Sequence, residues 1–178
     1  MIKNFKDPSY LQTGNSKQQL AHEVLHELGI FEQLAPFDPV LTGTIPIEVD
    51  IPASDLDVIC EYTHVSSFES TIESGYQQEK DFSIRNSQKQ GLSTVIANFS
   101  FRGWEIEIFG QPLPVTEQMA YRHMVKEYQI LREKGDTFKK QVIRLKQAGL
   151  STEVAFAKLL GIKGDPYSGL LAYPTEAS

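Results

Sequence analysis

Cysteine is almost missing from this chain. Cys60 is the only one, so no disulfide can close within it, and in the run Val58-Ile59-Cys60 it reads as a small buried hydrophobe. Long apolar runs are missing too. No window approaches the ~20 successive apolar residues of a membrane span. The opening segment MIKNFKDPSYLQTGNSKQQL lacks the continuous apolar stretch of a secretory leader, so the expected location is the reducing cytoplasm. Positive charge is in deficit, with 17 Lys and Arg against 23 Asp and Glu and a formal net charge of -6. That balance disfavours the broad phosphate-neutralising surface of a protein that binds long nucleic acid. The histidines have no cysteines in zinc-ligand spacing; His22 and His26 stand four apart without a third partner. There is no internal repeat and no low-complexity tract.

What remains is an ordinary globular composition, 40% hydrophobic and 22% charged over 178 residues, enough to bury a sizeable core. A first helix is expected from Ser16 to Leu28, capped by Asn15 or Ser16, with Leu20, Val24, Leu25 and Leu28 as its apolar stripe and Gly29 as its stop. FDPVLTG reads as a short strand ending at Gly43, and SDLDVICEY as a second. SSFESTIESGYQQEK reads as a helix capped by Ser66 or Ser67, with Phe68 and Ile72 inward. DFSIRNS, STVIANFSF and WEIEIFG are strand candidates, the last two joined by a tight turn at Arg102-Gly103. From Val115 onward the pattern is helical, in three segments broken near Gly135, Gly149 and Gly161, followed by a turn at Gly164-Asp165-Pro166 and a loose tail LAYPTEAS. The expected class is α+β: a core over residues 1–114 with a mixed sheet, then a helical region over 115–178 packed on it.

One stretch conflicts with burial. In GTIPIEVDIPASDLDVIC, Asp55 and Asp57 stand two apart on the second strand, so they share a face about 6.5 Å apart. Two carboxylates facing a low-dielectric interior raise each other's pKa and weaken the fold. A hard divalent cation such as Mg²⁺ removes the conflict, and it is usually held by a few carboxylates together with substrate phosphates. The alternation in WEIEIF puts Glu105 and Glu107 on one face, away from Trp104, Ile106 and Ile108; either is a third ligand, and sheet register decides between them. Gly43-Thr44 follows a strand, where backbone N–H groups and a hydroxyl can approach a phosphate.

GTIPIEVDIPASDLDVIC resembles the signature of the nucleotidyltransferase superfamily, the DNA polymerase beta-like fold: Gly-Ser, about ten residues, then Asp-x-Asp within an apolar strand. Gly43-Thr44 takes the Gly-Ser place, Ser54 the serine often found before the acids, and Asp55-Leu56-Asp57 the acidic pair; Glu107 best fits the later carboxylate. The segments GTIPI, SDLDVIC, EIEIFGQPLPVTEQMAYRHM and GDPYSGLL resemble an uncharacterised bacterial family of that superfamily, domain of unknown function 4269. Three departures stand out: Thr44 for serine, IPIEV where small members often carry Arg-Gly, and Glu in place of the commoner Asp as third acid. The resemblance implies two Mg²⁺ ions bridging Asp55, Asp57 and Glu107 to a nucleoside triphosphate, with Gly43 and Thr44 on the outer phosphates. It implies transfer of a nucleoside monophosphate to a hydroxyl acceptor, with Glu107 taking its proton.

Other residues have plainer accounts beside their functional ones. In AYRHM, Arg122 is a candidate phosphate contact, and His123 is either near the acceptor or a satisfied core histidine. Glu48 and Asp50 read as solvated loop acids. FKKQVIRLKQAGLSTEVAFAKLLGI has the outline of a helix-turn-helix, but its broad apolar stripe fits a helical cap on the core. Besides a nucleotidyltransferase, the same features suit a non-catalytic module on this fold that binds a nucleotide or a partner.

Overall fold

Phe101 and Trp104 pair across a two-residue turn in which both Arg102 and Gly103 adopt positive φ (50° and 80°), the geometry that matches strand twist in a tight hairpin. The computed structural model describes residues 3–176. From that hairpin a five-stranded sheet is built from β1 (Val40–Thr42), β2 (Leu56–Glu61), β3 (Lys80–Lys89), β4 (Leu92–Phe101) and β5 (Trp104–Gln111). Its order is β1-β2-β5-β4-β3. β2 and β5 run parallel and the other neighbouring pairs antiparallel, a mixed sheet as expected.

Two compact units divide the chain. The sheet unit comprises Asn4–Thr42 and Asp55–Gln118; the other joins Lys3 and Gly43–Ser54 to the helices that follow Met119. In the sheet unit, helix α1 spans Ser16–Glu27 and is closed by a capping box: Asn15 accepts from the Gln18 backbone, and Gln18 accepts from the Asn15 backbone. Its buried side is formed by Gln18, Ala21, Val24 and Leu25. Leu20, expected on the stripe, is 52% exposed, because one step round the helix Ala21 takes the inward place. After a short helix α2 (Ile30–Gln33) comes β1. Helix α3 (Val65–Tyr76) begins earlier than expected, its cap lying two residues before Ser66 and three before Ser67. Its N-cap is His64, with no side-chain hydrogen bond.

Phe68 of α3 is fully buried, stacked on Tyr62 (5.4 Å) and edge-on to Phe37 (4.9 Å). Its ring lies so close to β5 that a Cβ on Gly110 would meet it at 2.1 Å, so only glycine lets the helix approach here. Tyr76 stacks on Phe99 of β4 at 5.1 Å, completing the core. Cys60 is buried within it, as its apolar neighbours predict.

In the helical unit, α4 spans Met119–Gln147, followed by α5 (Thr152–Leu160) and α6 (Pro166–Ala172). The break expected near Gly135 is present within this span: Gly135 (φ 74°, ψ -173°) is a kink between two helical segments, in a conformation essentially reserved for glycine. Ser151 caps α5 and Asp165 caps α6, so Gly164-Asp165-Pro166 is a helix start as well as a turn. The tail is tied down where a loose end was expected. Lys126 donates to the Tyr173 carbonyl (3.0 Å) and to Thr175 (3.2 Å), and the Glu176 backbone donates to Glu133 (2.7 Å). Ala177 and Ser178 lie outside the described residues.

Candidate active site

Strand pairing places one transverse row of residues across all five strands: Thr42, Asp57, Glu107, Asn98 and Ser83. Every member is polar. The adjacent row, on the opposite face, is Leu41, Val58, Ile108, Ala97 and Ile84, and every member is apolar. The alternation of DLDVI and WEIEIF is the cause: a strand residue and its neighbour point to opposite faces. The acids therefore share a row because the apolar residues beside them fill the core.

Asp57 faces Glu107 directly in the parallel register. Asp55 stands just before β2 and is exposed, whereas Asp57 is half-buried. Burial, then the charges of Asp55 and of Glu107, push the Asp57 carboxyl up to about 7. Asn98 donates its amide to one Glu107 oxygen at 3.2 Å, and the Thr42 hydroxyl donates to the Asp57 carbonyl at 3.3 Å. Glu105 is two rows along on the same face, opposite Ser100, whose hydroxyl donates to it at 2.8 Å, and it is exposed. Register thus places Glu107, not Glu105, beside Asp57. An all-oxygen donor set under mutual repulsion is the chemistry a hard cation such as Mg²⁺ takes, so these residues fit the ion that the fold family implies.

The remaining predicted residues belong to the helical unit. Gly43 opens the segment Gly43–Ser54 with φ 80°. The hydroxyls of Thr44 and Ser54 lie 3.1 Å apart, and Ser54 also accepts from the Ile51 backbone at 3.0 Å. Ile45, Ile47 and Val49 bury their side chains and anchor the segment. Glu48 is no free loop acid, because it pairs with Lys139 of α4. Arg122 lies exposed on α4, its guanidinium near the Met119 sulfur (3.8 Å).

Sequence reasoning passed over two features. Asn98 was legible in principle, since a two-residue turn at Arg102-Gly103 sets position 98 opposite position 107. The second is a cluster on the helices. His123 is buried but not satisfied, because neither ring nitrogen has a hydrogen-bond partner. Glu127, one turn along α4, is buried beside it, and Glu153 comes from α5. Burial and the neighbouring Glu153 hold Glu127 well above the ordinary carboxylate range, against the pull of Lys146. Only the His-x-x-x-Glu spacing was visible beforehand, and alone it names nothing.

A mixed sheet backed by helices, with an acid row led by Asp-x-Asp, has the fold of the nucleotidyltransferases. The chain belongs to the family Domain of unknown function (DUF4269), whose profile matches residues 23–173. Solved structures agree on the fold. A Cid1 poly(U) polymerase with MgGTP bound matches at a TM-score of 0.54 and 12% identity, over 78% of this chain and 46% of that one. Another Cid1 structure, described for RNA terminal uridylyl transferase activity, matches at 0.55 and 11% identity, over 78% and 45%. A cytoplasmic RNA terminal U-transferase matches at 0.51 and 13% identity, over 88% and 46%. This chain therefore spans about half the length of those it matches. No curated protein sequence matches it. No helix among the described residues is long and apolar enough to cross a membrane.

Proposed function

We propose that this protein is a Mg²⁺-dependent nucleotidyltransferase that moves a nucleoside monophosphate from a nucleoside triphosphate to a hydroxyl acceptor. The observation that carries the reading is the direct pairing of Asp57 with Glu107 beside Asp55, with burial and then both charges raising the Asp57 carboxyl. Asp55, Asp57 and Glu107 would hold the metal. When bound, Mg²⁺ offsets charge on the phosphates and lowers the pKa of an acceptor hydroxyl.

Glu107 receives the acceptor proton on a carboxylate oxygen. Asn98 holds one of its oxygens and so orients the other. Gly43 and Thr44 contact the outer phosphates. Ser54 accepts from Ile51, so its own hydrogen is free to point at Thr44, which leaves the Thr44 hydrogen for a phosphate oxygen. Arg122, exposed and cationic, is assigned a phosphate contact. Glu105, engaged with Ser100, is assigned no metal. The neighbours' names point to RNA ends as one acceptor class, and small-molecule and protein hydroxyls are the others.

The test is calorimetry with ATP, CTP, GTP and UTP with and without Mg²⁺, followed by pyrophosphate release with each acceptor class. Binding that needs Mg²⁺ and is lost in Asp57→Asn, with pyrophosphate released, is the expected result. Binding without release would make the chain a nucleotide-binding module. Failure of all four nucleotides to bind the folded protein overturns both.

A further inference from the structure

We propose that His123, Glu127 and Glu153 form a second metal site, selective for a borderline first-row ion such as Zn²⁺ or Co²⁺, within the helical unit. One imidazole nitrogen and one oxygen from each carboxylate lie within 4.8 Å of one another. His123 is 6% exposed, yet both of its ring nitrogens lack a partner. An unpaired buried polar atom is costly, and coordination satisfies one of the two. The ligands come from rigid elements: His123 and Glu127 are four apart on α4 and share a face, and Glu153 sits in the first turn of α5.

Size and donor chemistry both fit. A tetrahedral Zn²⁺ with bonds of about 2.1 Å sets its ligand atoms about 3.4 Å apart, so side-chain shifts of about 1 Å close the cluster on an ion. Imidazole with two carboxylates suits Zn²⁺, Co²⁺, Mn²⁺ or Fe²⁺, whereas Mg²⁺ favours an all-oxygen set. Three protein ligands leave a position for water. The cluster lies next to the surface: Glu153 is half-buried, and Tyr167, edge-on to His123 at 5.9 Å, is 45% exposed. The competing account is a buried Glu127 neutralised by Lys146, with His123 idle and Glu153 merely favourable at a helix start.

The experiment is titration of the metal-stripped full chain with Co²⁺, followed by its visible absorption, and with Zn²⁺, followed by thermal melting. One equivalent of Co²⁺ with an imidazole–carboxylate spectrum, and a Tm raised by Zn²⁺, are expected. Glu153→Gln, at a half-buried surface position, should keep the fold and weaken Co²⁺ by at least about 100-fold, as should His123→Gln. The double variant Asp57→Asn/Glu107→Gln should leave this binding unchanged while removing any Mg²⁺ effect, so the two sites fail separately. No Co²⁺ binding by the folded chain, or equal binding in Glu153→Gln, overturns the proposal.

Discussion

Asp57 on β2 and Glu107 on β5 face each other across parallel strands, and burial, then the charges of Asp55 and Glu107, push the Asp57 carboxyl up to about 7. The relationship is costly in isolation, and the cost has a sign. The unfolded chain releases the Asp57 proton near its ordinary value of 3.8, the folded one at about 7. Between those values the folded state holds more protons, so stability falls as pH rises from about 4 to about 7 and then levels. At about 1.4 kcal/mol per pH unit the loss has a ceiling of roughly 4 kcal/mol. Denaturant melts in EDTA across that range should show the fall, and Asp57→Asn should flatten it. Mg²⁺ at pH 8 should recover part of it in the wild type only.

Glu107→Gln should reduce Mg²⁺-dependent nucleotide transfer on the order of 100-fold or more, while Glu105→Gln stays within about 3-fold. Steady-state pyrophosphate release measures both. Equal losses would mean that the row opposite Asp57 does not select the third acid.

Asn98→Ala removes the amide that fixes one oxygen of Glu107. Turnover should fall by about 10-fold to 100-fold, with nucleotide affinity nearly unchanged, because the amide orients a ligand without itself being one. Paired kcat and KM measurements separate this from simple unfolding.

Gly110→Ala drives a methyl into the Phe68 ring and should cost about 1–3 kcal/mol in urea unfolding. Adding Phe68→Leu should return part of that loss, since the clash is with the ring edge. Additive losses would show that the glycine serves something else.

Gly135→Ala forces an L side chain into φ 74°, ψ -173° inside α4. A loss of about 1–3 kcal/mol is expected, with nothing nearby for the new methyl to contact. A neutral or stabilising result would mean that α4 can straighten through this point.

Much of this was legible in the residues. The period-two alternation of WEIEIF, the Arg-Gly turn and the Asn-x-x-Gln cap are local signals, and local signals survive folding. The Asp57–Glu107 pairing joins positions fifty apart in sequence, and no local pattern specifies that two strands lie parallel. The α3 start failed for a physical reason: a helix can begin on a residue that offers no side-chain cap when Phe68 and Ile72 already bury its face. The break at Gly135 was legible because a glycine inside a helical pattern is a local signal of non-helical backbone. Glu153 could not be joined to His123 and Glu127 beforehand, since the antecedent is how two helices meet.

Sliding β5 by one position against β2 would bring Ile106 or Ile108 opposite Asp57 and turn Glu107 toward the core. Mispairing and a broken acid row would then be the same event, so any molecule that has reached its native hydrophobic arrangement already carries its acids in place. Quality control that detects exposed apolar surface would, in this protein, also screen for a correctly assembled acid row.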